Sequence, residues 1–313
     1  MRYLFLILFT FLYITKSLAQ YSDWNSSDRV ISSSNLKDSL QVNTNKKKIL
    51  VITESSLYLT TLVGLNSLWY KDYPRSSFHF IDDNGEWLQM DKLGHITTSY
   101  YMGVSGIKAY QWAGVSEKQA IWYGGFSGSF FLTAVEILDG FSKEWGASSG
   151  DLIANTMGSA LCISQALYWN KQKIQLKYSY RPSKWAEQNP ELLGSNHIQR
   201  LIKDYNGQTY WISFNLKSLL NIKQVCFPEW LSLSVGYSGN KMVSAYHEDK
   251  KPDGSWNPKR TRQFLLSFDV DMTRVKTKSK VLNGILHTFG FLKFPMPTIE
   301  LRNGKVFAHP LYY

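Results

Sequence analysis

Cysteine and acidic residues are the scarce features of this chain. Only two cysteines, Cys162 and Cys226, occur in 313 residues, which excludes a multi-bridge disulfide framework. Cys162 falls inside an apolar helix-like segment and Cys226 in a later strand or turn region, so both are expected as free, buried thiols. Neither lies near the amino terminus, so the thiol that carries an amino-terminal lipid is missing. The 24 acidic residues are outnumbered by 35 lysines and arginines, a net charge of +11. The basic residues are scattered, with a local run at Lys46 to Lys48, and no nucleic-acid motif accompanies them. An anionic lipid or cell-envelope polymer is therefore the expected partner, and nucleic acid is not. Uncharged stretches such as Leu152 to Asn170 lie near the lower bound of about 17 residues for a membrane span. A mean hydropathy of −0.25 is too polar for a wholly embedded protein, yet it can average a membrane-associated first half with a polar second half.

What is present begins with an export signal. Arg2 precedes an apolar core from Tyr3 to Ile14, and Ser17 and Ala19 supply small residues for cleavage before Gln20. Residues 1–19 read as a signal peptide and residues 20–48, rich in Ser, Asn and Asp, as a flexible leader. Order is expected from Ile49. An apolar segment runs from Ile49 to the aromatic, basic stretch Trp69-Tyr70-Lys71, and Asp82-Asp83-Asn84-Gly85 signals a turn. Three further helical segments follow: Asp91 to Ala113 with Gly114 as its stop, Ser116 to Asp139, and Asp151 to about Asn170. Ser116 and Gln119 have capping-box spacing. Gly140 is expected to provide a left-handed helix exit, and Ser148-Ser149-Gly150-Asp151 a helix start. Gly124 and Gly128 have the small-xxx-small spacing that lets helix backbones approach closely.

After Lys171 the period changes to two. Thr209 to Leu216, Leu231 to Tyr237 and Phe264 to Met272 each alternate apolar with polar residues. About six strands are legible, fewer than the eight of the smallest closed single-chain barrel, although the apolar-out, polar-in pattern and the aromatic ending Leu311-Tyr312-Tyr313 are barrel-like. Phe268-Asp269-Val270-Asp271-Met272-Thr273 has the aspartate pair of haloacid-dehalogenase-like phosphatases. Only forty residues follow Thr273, too few for the rest of such a domain, and alternation puts both aspartates on the polar face of a strand. The expected fold is α+β: a four-helix antiparallel module over residues 49–172, then an antiparallel β-rich module over 173–313, forming a small sheet or partial barrel.

Polar residues concentrate at particular ends of the apolar helices. Asp91, Lys92 and His95 open the second segment, Glu136 and Asp139 close the third, and Asp151 and Asn155 open the fourth. Antiparallel neighbours with short loops bring those ends to one face. Asp91, His95, Glu136, Asp139 and Asp151 are the candidate catalytic groups, with Lys92 and Asn155 as headgroup or network contacts. Three readings follow: a divalent-metal site, an acid/base pair acting on a lipid or cell-wall headgroup, or a polar network fixing helix register. One imidazole among oxygens suits zinc only weakly. Asp91 and Asp151 can equally serve as helix caps while Lys92 neutralises a carboxylate, and whether the cluster is enzymatic is left open.

The run from Asp82 to His95, then Glu136-Ile137-Leu138-Asp139-Gly140-Phe141, then Gly150-Asp151-Leu152-Ile153-Ala154-Asn155, resembles the YfiM-like family of predicted periplasmic lipoproteins of unknown function, domain-of-unknown-function family 2279. The order Asp-Lys-x-x-His, Glu, Asp-x-x-x-Asn is also similar to VanZ-like membrane proteins linked to glycopeptide resistance. The resemblance covers about a third of the chain and departs from the lipoprotein pattern in lacking the lipid-bearing cysteine. It implies a cell-envelope protein with no established reaction. The expected place is the periplasm or outer membrane of a Gram-negative-type envelope, and the expected role is either binding or modifying a lipid or cell-wall precursor headgroup or serving as a non-catalytic structural or assembly component.

Overall fold

The computed structural model describes residues 44–66, 74–224, 226–246, 254–255 and 258–312. The signal peptide, most of the leader, and Trp69-Tyr70-Lys71 lie outside them. The fold is mixed, with eight α-helices among the described residues and an antiparallel six-stranded sheet. The described chain forms two compact units, one of residues 44–66, 74–82 and 98–170, the other of residues 83–97 and 171–312.

The first unit holds α1 (Thr44–Leu65), most of α2 (Met90–Trp112), α3 (Glu117–Gly140) and α4 (Ser149–Trp169). Helix α1 starts at Thr44 rather than Ile49, so Lys46 to Lys48 are helical and not part of a leader. Glycine lets α2 and α3 touch backbone to backbone. A Cβ on Gly106 would collide with the Gly124 carbonyl, and one on Gly128 with the backbone of Ser99. These contacts make α2 and α3 antiparallel. Serine hydroxyls fill the remaining space: Ser99 Oγ and Ser129 Oγ each donate to the Asn155 carbonyl at 2.6 Å, and Ser99 and Ser159 hydroxyls lie 3.0 Å apart. Helix α1 adds Glu54, whose carboxylate accepts from Tyr58 and Tyr110, both at 3.0 Å. The outward side carries the large apolar groups, including Tyr123, Phe130 and Ile153. The interior combines these polar contacts with buried Tyr100, Met102, Phe131 and Leu132, so large apolar groups stand on both sides of the helices.

Three local expectations need correction. Ser116 makes no capping bond; its hydroxyl donates to Gln119 Oε1 at 2.9 Å instead, since both side chains are free in solvent to meet each other. Gly140 is not a left-handed exit. It remains helical because Phe78 packs where its side chain would be, and Phe141 ends α3. Gly114 does adopt a left-handed φ of 77° after α2.

The second unit is dominated by strands β3 (Ile174–Tyr180), β4 (Gln208–Asn215), β5 (Leu231–Asn240), β6 (Thr261–Val270), β7 (Met296–Arg302) and β8 (Lys305–Tyr312), paired in that order. The sheet is open, with no β3–β8 pairing. Phe291 to Lys293 cover part of the β3 edge through backbone bonds to Tyr178. Asn303 and Gly304, both left-handed, close the β7–β8 hairpin as a tight two-residue turn requires. Register aligns the residues in rows across the sheet. Ile212, Val235, Leu266, Ile299 and Ala308 form one row on the outer face. The opposite face buries Ser213, Ser234, Ser267, Asp269, Thr298 and Glu300. That face also holds the apolar cluster Trp211, Leu265 and Tyr312, while the exposed rows of the outer face are apolar.

At the centre of its buried face, Asp269 is 2.8 Å from Lys177 Nζ and 3.8 Å from Lys293 Nζ, and accepts from Ser213 Oγ at 2.9 Å. Lys293 also donates to the Phe268 and Phe294 carbonyls and lies 5.0 Å from the Trp211 ring centroid. Asp271, just beyond β6, accepts from Arg274 at 2.9 Å and from the Thr273 backbone. Both aspartates of the phosphatase-like motif are thus structural. Cys162 is buried as expected, whereas Cys226 is exposed, because it lies in the connection after β4.

Two tests follow from this packing. Gly128→Ala should cost about 1–3 kcal/mol in urea unfolding, because Ser99 cannot retreat without moving its helix backbone. Asp269→Asn should cost about 3–5 kcal/mol by stranding two buried ammonium groups. Burial pulls Lys293 down to about 8, with Asp269 opposing. Between that value and the ordinary lysine range the unfolded chain holds more protons, so this group's contribution to stability falls as pH drops toward and through about 8. Lys293→Met should flatten that slope in denaturation midpoints measured from pH 7 to 10.

Candidate functional site

Asp91 and Lys92 lie in the first turn of α2 and His95 one turn later, so Asp91 and His95 share a helix face. Lys92 and His95 are buried and Asp91 is half-buried. Lys92 Nζ lies 2.6 Å from Asp83 Oδ2 and 3.8 Å from Asp91 Oδ2, so it chiefly neutralises Asp83. Asp91 Oδ1 accepts from Tyr205 OH at 2.9 Å. The Tyr205 ring packs against Trp87, 5.2 Å between centroids. Glu86 stands beside this group, and burial, with Asp83 and Asp91 adding repulsion, pushes its carboxyl up to about 7.

Chain entry to α2 is unusual. Trp87, Leu88 and Gln89 all have left-handed φ, 45°, 52° and 65°, a conformation costing roughly 1–2 kcal/mol per L-residue. Hydrogen bonds hold it: Trp87 N to the Ala245 carbonyl at 3.0 Å, Tyr237 OH to the Leu88 carbonyl at 2.8 Å, and Arg262 to Gln89 Oε1 at 3.1 Å. The turn aims α2 so that Asp91 meets Tyr205.

The first unit contributes the other carboxylates. Strand β1 (Phe80–Ile81) pairs in parallel with β2 (Ala147–Ser148), fixing the start of α4. Ser148 links two candidates: its backbone N–H donates to Glu136 Oε2 at 3.0 Å, and its hydroxyl accepts from the Asp151 N–H at 3.0 Å. Glu136, Asp151 and Asn155 are buried, while Asp139 is half-buried in the last turn of α3. The end of α3 and the start of α4 therefore meet, and Asp151 belongs to a capped first turn. Sequence reading missed Tyr205, which is 114 positions from Asp91 and carries no local signal. Asp83 read only as a turn residue and Glu86 was given no role; their signal was acidic spacing just ahead of a helix that opens with Asp91.

Residues 79–166 match the family described as "Predicted periplasmic lipoprotein (DUF2279)". The match spans β1, α2, α3, β2 and most of α4, and stops short of the six-stranded sheet. It supports export to the cell envelope and describes a family of unknown function. Comparison with curated proteins and with solved structures returns no match.

Lys92→Met should destabilise the protein by about 3–5 kcal/mol by leaving Asp83 buried without its countercharge. The double variant with Asp83→Asn should recover most of that loss in a thermodynamic cycle read by urea unfolding.

Proposed function

We propose that Asp91 and His95, one turn apart on the same face of α2, hold a divalent cation in the cell envelope, and that the ion binds the anionic headgroup of a lipid or cell-wall precursor. The reading is carried by one observation, the gathering of Asp83, Glu86 and Asp91 around the start of α2, where His95 is buried and Lys92 engages Asp83. A carboxylate and an imidazole make a mixed oxygen and nitrogen set that suits Mn²⁺ and, more weakly, Zn²⁺, and leave coordination positions for phosphate oxygen or water. Lys92, engaged by Asp83, limits repulsion among the acids. In the other unit Glu136, Asp151 and Asn155 order the start of α4, and Asp139 lies in the last turn of α3. Helices α1 to α4 act as one four-helix module in this reading. Helices α1 and α3 are long and apolar enough, by length and composition, to cross a membrane, which fits placement beside a membrane of the envelope.

The competing reading is a non-catalytic envelope component whose polar groups only fix helix register. The bonds from Tyr205 to Asp91 and from Ser148 to Glu136 would serve that role equally well. Calorimetric titration of the metal-free protein with Mn²⁺ and Zn²⁺ separates the two. One bound ion is expected, lost in His95→Ala and Asp91→Asn, with melting temperatures of the metal-free variants close to that of the parent. No bound ion, together with a loss of about 1–3 kcal/mol in either variant from a stranded polar partner, would leave only the structural role.

A further inference from the structure

We infer that the outer face of the six-stranded sheet rests on a membrane surface, its apolar rows in the headgroup–acyl boundary and its plane along the bilayer. The inference does not depend on the proposed cation site. Val235, Phe264, Leu266, Phe268, Ile299 and Leu301 stand exposed on that face in adjoining rows, while the opposite face buries an aspartate, a glutamate and two lysines. A sheet in water hides its apolar face. Contiguous exposed apolar surface marks a partner, and this one is covered only if the medium beyond it is apolar.

Two further features identify lipid as the occupant. The β6–β7 connection carries helix α8 (Lys280–Thr288), which exposes Val281, Leu282 and Ile285. Exposed Lys276, Lys278 and Lys280 lie at its start. An apolar face beside clustered lysines is the pattern of a helix lying in a membrane interface. At the other end of the strands, exposed Arg262 and Lys305 flank the Phe264 row. Basic groups at both ends match anionic headgroups, in keeping with the net charge of +11, and oppose a second copy of the same surface. The open sheet also fixes the orientation. Unpaired strand edges are not tolerated in the hydrocarbon core, so the sheet lies flat with its edges at headgroup depth rather than crossing the bilayer.

The test uses the full chain with Cys226→Ser, so that the buried Cys162 is the only other thiol. A polarity-sensitive fluorophore is attached at Leu266→Cys, Ile299→Cys or Val281→Cys, with circular dichroism confirming retained strand content. Vesicles of phosphatidylglycerol and phosphatidylethanolamine carry quenchers either near the acyl carbonyls or at the chain ends. A blue shift at all three positions is expected, with stronger quenching by the shallow quencher at each. Equal emission with and without vesicles overturns the proposal, as does a dimer in light scattering that shields Leu266 and Ile299 without lipid. Depths that differ steadily between Leu266 and Phe268→Cys or Phe264→Cys would indicate a spanning sheet and overturn the flat orientation.

Discussion

The contact on which the sheet depends is Asp269 between Lys177 and Lys293. It joins β3, β6 and the segment leading into β7, and through Ser213 it reaches β4. Desolvating three charges is expensive, and it is offset only because nearly every donor and acceptor there is satisfied. Lys177 also donates to the Val270 carbonyl, and the Phe294 N–H donates to Asp269. Farther along the same face, Gln263 and His309 both bond Glu300. The buried side of the sheet is thus ordered by directed polar bonds, which specify register sharply, around the apolar cluster of Trp211, Leu265 and Tyr312.

The helical unit obeys the same rule by other means. Glycines bring α2 and α3 into backbone contact, and three serines with the Asn155 carbonyl occupy what would otherwise be voids. Close approach maximises dispersion between backbones, and short hydroxyl bonds satisfy groups that no water reaches. Tyr123, Phe126 and Phe130 are left on the outside while Tyr100 and Phe131 are buried. Both units therefore carry large apolar groups on exposed faces as well as in their interiors.

Period and punctuation made much of this legible. The alternation at Phe264 to Phe268 located β6, and Ser148 was readable as a cap because its hydroxyl acts within three residues. Alternation could not decide which face would be buried, since it describes a pattern and not a solvent. Contacts between distant segments were invisible for the same reason: nothing near Asp91 announces Tyr205, and nothing near Phe80 announces its pairing with Ala147. Gly140 and Ser116 misled because their local signals were overridden by Phe78 and by solvent exposure respectively.

The left-handed turn at Trp87 to Gln89 has a kinetic meaning. It is unfavourable in isolation, and the groups that hold it, Tyr237, Ala245 and Arg262, come from about 150 or more positions later in the chain. The loop that closes over this distance is long, and its closure follows assembly of β5 and β6. The first turn of α2, with Asp91 at its head, is therefore expected to settle only after β5 and β6 have paired, so that the pairing of Asp91 with Tyr205 reports completion of the sheet rather than its start.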